Sequence, residues 1–232
     1  MADIQAIIPF TYKWEGGLSR ATTDKASASP SPYVHQGVKG WHTNKGITYP
    51  VFKEGSKTLG YQDTAQNFLT MPEEIWLKIA KVKFWDTLKL DNVKSQAIAN
   101  VMFSWIWGSG YAWRNRMVDY FKTKGIVWNK NDFNALANNL NILTEKEGEK
   151  KIFDELIEQK KQYLVSLNQP ANINGWLRRL NDLQTYSYTL LGKTATYTAK
   201  KIKENPITTI VLTTVLIVAS YVLYKTLIKN KK

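Results

Sequence analysis

The stretch Lys13-Trp14-Glu15-Gly16-Gly17-Leu18 decides how the chain is interpreted, because it places a carboxylate between an aromatic ring and two glycines. The residues before it predict a short helix that Asp3 caps, with apolar side chains at helical spacing. Glycine tolerates the left-handed conformation that ends many helices, so the helix is expected to stop at the two glycines. Glu15 then lies at a helix C-terminus, where the helix dipole and an apolar neighbour both disfavour the ionised carboxyl group. A carboxyl group kept protonated near neutral pH is able to protonate a leaving oxygen, and the alternative is a surface glutamate at a helix end.

Composition and charge restrict the class of protein. The 232 residues are enough for a buried core, in one domain or in two packed halves. The chain has no cysteine, which excludes disulfides and thiolate chemistry, and the isolated pair His35 and His42 does not favour a metal site. The net charge of +13 favours an anionic partner, such as nucleic acid, anionic lipid or bacterial cell wall. We find no nucleic-acid-binding motif, so nucleic acid is not expected as a partner.

The hydrophobic periodicity predicts a mainly helical protein with a small β-hairpin element near Glu15. Residues 96–107 are apolar almost all round, which predicts a buried central helix that ends at the glycines of residues 108–110. Thr48 precedes a helix with proline in its first turn and is a candidate N-cap. Thr144-Glu145-Lys146-Glu147 matches a capping box, which predicts that another helix begins there.

The C-terminal stretch differs from the rest of the chain. Residues 207–224 carry no charge, and lysines flank them on both sides. A helix of about 22 residues rises about 33 Å, which is enough to cross a bilayer core of about 30 Å. We therefore expect residues 206–228 to form a transmembrane helix, joined to the rest through a polar linker at residues 191–205, with a buried core helix as the alternative. The N-terminus lacks the pattern of a secretory signal.

Five motifs in the same order resemble glycoside hydrolase family 108, the bacterial and phage N-acetylmuramidases with a C-terminal predicted peptidoglycan-binding half. They are Glu15-Gly16-Gly17, Asp24 nine positions after the glutamate, Thr43-Asn44-Lys45-Gly46-Ile47-Thr48, Phe84-Trp85-Asp86 and Gly175-Trp176-Leu177-Arg178-Arg179. The resemblance spans residues 4–186 and implies a lysozyme-like fold. Residues 1–90 would be a muramidase-like catalytic half, and residues 91–190 a helical peptidoglycan-binding-like half.

The resemblance implies hydrolysis of the β-1,4 bond between N-acetylmuramic acid and N-acetylglucosamine, with no cofactor. Glu15 would be the general acid and Asp24 the second carboxylate, while Thr48, or else Thr43, would position a water. From the residues alone, a turn cap for Asp24 and a helix cap for Thr48 remain alternatives. The candidate substrate-binding residues are Trp41, Thr43, Asn44, Trp105 and Trp107. For the asparagine the alternative is a loop-stabilising role, and for the last two tryptophans it is a place in the core.

Two departures from the family pattern leave alternatives open. Residues 25–41 are inserted, and the Asp and Asn-x-Gly usual in the central helix are replaced by Ser104 and Gly108-Ser109-Gly110. We expect a membrane-anchored peptidoglycan hydrolase that acts in the periplasm or cell envelope, in phage lysis, phage infection or a secretion machine. Its partners would be peptidoglycan and, through the C-terminal helix, a membrane, while the oligomeric state stays open. The alternatives are a non-catalytic peptidoglycan-binding or structural module, and a membrane-disrupting protein that acts through the C-terminal helix.

Overall fold

A computed structural model describes residues 1–192 and shows a mainly helical chain with one small antiparallel sheet. The predicted combination of helices with a small β element is therefore confirmed. Within residues 1–192 the α-helices are α1 (Ile8–Trp14), α2 (Tyr49–Leu59), α3 (Ala65–Leu69), α4 (Glu73–Ala80), α5 (Gln96–Ser109), α6 (Arg114–Thr123), α7 (Phe133–Glu147), α8 (Glu149–Ser166) and α9 (Pro170–Tyr188). The strands are β1 (Leu18–Ser19), β2 (Thr43–Asn44) and β3 (Ile47–Thr48). Short 3-10 helices at Ile4–Ala6, Lys25–Ala28 and Leu90–Asn92 and a π-helical turn at Lys81–Trp85 complete the described elements.

The sheet follows directly after α1. Its central strand, β2, pairs antiparallel with β1 and β3, in a register that places Leu18 opposite Asn44. The turn between β2 and β3 consists of Lys45 and Gly46, whose φ angles are 45° and 76°. Positive φ at both central residues is what a two-residue hairpin turn with the natural strand twist requires.

The end of α1 differs from the sequence prediction. Glu15 is the C-cap residue, and it leaves the helix in an extended conformation with φ −94° and ψ 130°. Neither Gly16 nor Gly17 has a positive φ, so the left-handed turn predicted there is wrong. The chain turns instead into the sheet, where the Lys45 N–H donates to the Gly17 carbonyl at 3.3 Å.

Helix α5 forms the centre of the fold, as predicted. Its residues from Gln96 to Ile106 are all buried, and Gly110 follows its last residue with φ 54°. Helices α8 and α9 pack against it. One apolar core extends from Ala2 to Leu183, so the residues of the two predicted halves share it.

The boundary between α7 and α8 corrects the capping-box prediction. Helix α7 continues through Thr144 to Glu147, and the Thr144 hydroxyl donates back to the Leu140 carbonyl at 2.7 Å. The helix breaks at Gly148, whose φ of 95° is a conformation that favours glycine. The backbone at this glycine, rather than a threonine cap, therefore sets the start of α8.

Two predictions about the membrane are corrected, namely the transmembrane helix in the fold and the membrane-anchored location. The transmembrane helix expected at residues 206–228 lies outside the described residues. None of the helices found in residues 1–192 is both long and apolar enough to cross a bilayer. The apolar helix α5 has 14 residues, a rise of about 21 Å, and the longer helices α8 and α9 carry charged side chains. A fold with a spanning helix and a membrane-anchored location are thus unsupported, and the fold is mainly helical with a small antiparallel sheet.

Candidate active site

A cleft of about 320 Å³ lies between the small sheet, the end of α5 and the helices α8 and α9. Its volume is at the lower end of the range for small-molecule sites. The polar side of the cleft contains Glu15, Asp24, Thr43 and Thr48. The apolar side comes from α8 and α9 and consists of Leu164, Leu167, Trp176 and Leu180. The cleft therefore joins residues from both ends of the described chain.

Glu15 is held in the cleft by two donors that are distant in the sequence. Its side chain is only 10% exposed. Its Oε1 accepts a hydrogen bond from Trp107 Nε1 at 2.8 Å and another from Arg179 Nη2 at 2.6 Å. Its Oε2 has no hydrogen-bond partner among residues 1–192. One carboxylate oxygen is thus fixed, and the other is left for a ligand.

The turn between β2 and β3 packs directly against this carboxylate. A Cβ atom added at Gly46 would lie 2.7 Å from Glu15 Cδ and 2.9 Å from Trp107 Cζ2, and nearer still to Glu15 Oε2. These distances are shorter than van der Waals contact, so a side chain at this position displaces Glu15 or Trp107. The glycine is required both for this approach and for its positive φ.

The other predicted catalytic residues lie on the same cleft with different local roles. Asp24 is exposed and caps the Lys25–Ala28 turn, because its Oδ1 accepts from the Ala26 N–H at 2.9 Å. Thr48 is at the N-cap position of α2, but its hydroxyl makes no capping hydrogen bond. The Thr48 hydroxyl is therefore not committed to the helix that it precedes.

Three predicted substrate-binding residues do not line the cleft. Asn44 is 2% exposed, and its amide donates to two backbone carbonyls at the end of α3, at 2.8 and 3.0 Å. Trp105 is fully buried, and Trp41 is half-buried in the loop that precedes β2. Thr43 and Trp107 do line the cleft. The aromatic side chain that hydrogen-bonds Glu15 is thus that of Trp107, not of its sequence neighbour.

Several cleft residues were not predicted from the sequence as site residues, among them Trp176, Arg179 and Lys160. Trp176 and Arg179 belong to the motif at residues 175–179, but nothing in that motif indicates that it approaches Glu15. Arg179 lies 164 positions after Glu15 in the sequence. The sequence around Lys160 in α8 gives no indication that this lysine is buried, yet it is only 6% exposed. Burial, together with the nearby positive charge of Arg179, holds the pKa of Lys160 well below its usual value.

The histidines have structural contacts. His42 is fully buried, with Nδ1 2.8 Å from Thr43 Oγ1 and Nε2 3.2 Å from the Ala21 carbonyl oxygen. His35 forms an isolated bridge with Val38 in the inserted loop. Residues 1–192 contain no group of three or more His, Cys, Asp or Glu side chains that could hold a metal ion.

Comparisons with known proteins bear on the family and on the fold. Residues 8–110 match the family model described as Glycosyl hydrolase 108, and this segment contains Glu15, Asp24 and Thr48. Among solved structures, one titled "Structure of Brucella abortus SagA" is similar with a TM-score of 0.57 and 18% sequence identity, over 82% of this chain and 95% of that chain. No curated protein sequence matches the chain. The structural likeness supports the fold, and the family match identifies the chain as a glycoside hydrolase.

Proposed function

We propose that this glycoside hydrolase is an N-acetylmuramidase, which cleaves the β-1,4 bond between N-acetylmuramic acid and N-acetylglucosamine in peptidoglycan. The observation that supports this best is Glu15, a 10% exposed carboxylate in a cleft, within the segment that matches the family model. The net charge of +13 suits an anionic wall polymer. Phage lysis, phage infection or a secretion machine remains a prediction for the biological setting.

Glu15 acts in this proposal as the general acid. Because Oε1 is fixed by Trp107 and Arg179, the proton is delivered from Oε2, which has no hydrogen-bond partner within residues 1–192. Trp107 and the Arg179 guanidinium, 2.6 Å from Oε1, hold the carboxyl group in one orientation in the cleft.

Asp24 and Thr48 complete the proposed reaction. Asp24 lines the same cleft and supplies the second carboxylate that most glycosidases use, as a base or as a nucleophile. Its hydrogen bond from the Ala26 N–H fixes one carboxylate oxygen and leaves the other for water or sugar. The Thr48 hydroxyl, which makes no capping hydrogen bond, is available to position the attacking water.

The test is the reducing-end sugar of the wall fragments that the full chain releases, identified by mass spectrometry after borohydride reduction. We expect reduced N-acetylmuramic acid at the new ends. Glu15→Gln should lower the rate about 10²–10⁴-fold because the amide has no acidic proton to donate. Asp24→Asn should also lower the rate.

The matched control is Glu158→Gln on α8, since the Glu158 side chain is 52% exposed. It should hydrolyse walls at the normal rate. Reduced N-acetylglucosamine at the new ends would refute the bond assignment. Near-normal activity of a folded Glu15→Gln protein would refute the general acid. No wall hydrolysis by the unmodified chain would instead favour the non-catalytic wall-binding module.

A further inference from the structure

Lys160 is a buried basic group that the proposed hydrolysis does not use. It lies on α8, which packs against α5, α7 and α9, and it is 6% exposed. Lysine is almost never buried to this degree without a charged partner, because an ammonium group loses its hydration there. Lys160 nevertheless lines the cleft that contains Glu15, so a ligand in the cleft has access to it.

The surroundings of Lys160 leave its charge uncompensated. Its Nζ donates to Ser104 Oγ at 2.6 Å, and it has no carboxylate partner among residues 1–192. From α9, Arg179 adds a second positive charge, and this guanidinium pairs with Glu15 rather than with the lysine. Asp24, the other carboxylate of the cleft, caps the Lys25–Ala28 turn. The corner between α5, α8 and α9 therefore holds two basic side chains and one carboxylate.

Such a corner binds an anion better than a neutral group. An entering carboxylate supplies the negatively charged partner that Lys160 lacks. Hydrogen bonds between charged groups are about twice as strong as those between neutral groups. Ser104 fits this role because a hydroxyl both accepts from the lysine and donates to a ligand oxygen.

We propose that Lys160 and Ser104 form a subsite that binds a carboxylate of the glycan substrate. This ligand class rests on the proposed muramidase function, because N-acetylmuramic acid carries either a free lactyl carboxylate or, where that group is amide-linked to a stem peptide, the carboxylates of the peptide. N-acetylglucosamine has neither. The subsite thus selects muramyl-containing glycans and fixes which sugar occupies this end of the cleft.

Binding of the anion also changes the protonation of the lysine. A carboxylate beside Lys160 favours the ammonium form, so the complex takes up a proton from solvent at any pH between the pKa of this lysine in the free chain and its pKa in the complex. The groups facing Lys160 that carry charge are Arg179 on α9 and, through that arginine, Glu15. Proton uptake on binding is a property that a purely structural lysine does not show.

The experiment is isothermal titration calorimetry of the full chain in two buffers of different ionisation enthalpy. The probes are N-acetylmuramic acid, N-acetylmuramyl-L-alanine and N-acetylglucosamine. We expect an acidic probe to bind at least about tenfold more tightly than the neutral sugar, with a buffer-dependent heat that reports proton uptake. Preference for the first probe indicates the lactyl carboxylate, and preference for the second indicates the stem peptide.

Two variants on α8 separate the subsite from general charge. Lys160→Met keeps an unbranched side chain in the buried position and should abolish both the preference and the proton uptake. Lys161→Met removes the neighbouring lysine, whose side chain is 54% exposed, and should leave both unchanged. If Lys160→Met does not fold, proton uptake and acid preference that persist in Glu15→Gln decide, because that variant removes the other group of the cleft that could take up the proton.

Equal affinity for the three probes, or an acid preference that survives in Lys160→Met, would overturn the subsite. This outcome is separate from a failure of the proposed function, because binding is measured without turnover. A chain that cuts a different bond but prefers the acidic probes keeps the subsite. A chain that cuts the muramyl bond without that preference loses the subsite alone.

Discussion

Substitution of Gly46 by alanine tests whether the hairpin turn positions Glu15. The added Cβ would lie 2.7 Å from Glu15 Cδ, whereas carbon atoms prefer separations of about 3.5–4.0 Å, so the carboxylate must withdraw by about 1 Å. A misplacement of about 1 Å in a catalytic group costs on the order of 10²-fold in rate. We therefore expect Gly46→Ala to hydrolyse purified walls about 10²-fold more slowly, measured as loss of turbidity.

The same substitution also strains the backbone, which must be separated from the effect on Glu15. Alanine in the left-handed region costs about 1–2 kcal/mol, and each kcal/mol lowers Tm by about 2–4 °C for a chain of this size. Gly60, the C-cap of α2, provides the matched control, because its φ of 73° is close to the 76° of Gly46 but a Cβ there meets nothing within 4 Å. Gly60→Ala should lower Tm by a similar amount and retain its wall hydrolysis.

The comparison of the two variants is decisive. If Gly46→Ala loses stability like Gly60→Ala but keeps its activity, the turn does not position the carboxylate, and the argument from close packing is wrong. If both variants lose most of their activity, the loss is caused by backbone strain and not by displacement of Glu15.

Two further predictions concern stability. Hydrogen bonds from Lys124 and Lys151 lower the pKa of Glu147 from its ordinary value of 4.5 to about 2. The stability that ionised Glu147 contributes is therefore fully present above pH 4.5 and is lost as the pH falls through about 2. Lys124→Met should therefore lower Tm at neutral pH, with a difference from the unmodified chain that shrinks in acid, and a constant difference would contradict this assignment. Asn44→Ala should cost about 2–3 kcal/mol in urea unfolding, because two carbonyl groups lose a donor, whereas Asn67→Ala, with an exposed amide, should change stability little.

The local parts of the fold were predictable because their signals are local. The all-round apolar pattern of residues 96–107 predicts a buried helix, and α5 is that helix. The short polar stretch at residues 18–24 predicts a hairpin beside Glu15; the structure has only the strand β1 there, and the hairpin is formed by β2 and β3. The capping-box pattern at Thr144 failed because the same residues also suit a helix interior, and the backbone at Gly148 decides where the helix breaks.

The candidate site was predictable only on one side. Glu15, Asp24 and Thr48 were proposed from motifs, and the structure brings them to one cleft. The other side depends on contacts over more than a hundred residues, such as the Arg179 contact to Glu15, and no periodicity or local motif reports such a contact. The burial of Lys160 could not be predicted from the sequence either, because a lysine in an amphipathic helix normally lies on the solvent face.

The long-range contacts also explain why residues beyond the family match matter for the shape of the cleft. The match ends at residue 110, yet α9 makes three polar contacts with the N-terminal segment of the chain. Tyr186 donates its hydroxyl to the Ala6 carbonyl at 2.5 Å, Lys13 pairs with Asp182 at 2.7 Å, and Arg179 reaches Glu15 at 2.6 Å. Because the first two contacts fix α9 against α1 and its 3-10 extension, the guanidinium approaches the carboxylate from a defined direction. The second half of the described chain therefore acts as a wall of the cleft and as the support of the Glu15 carboxylate, so the geometry of the cleft is a property of both halves together.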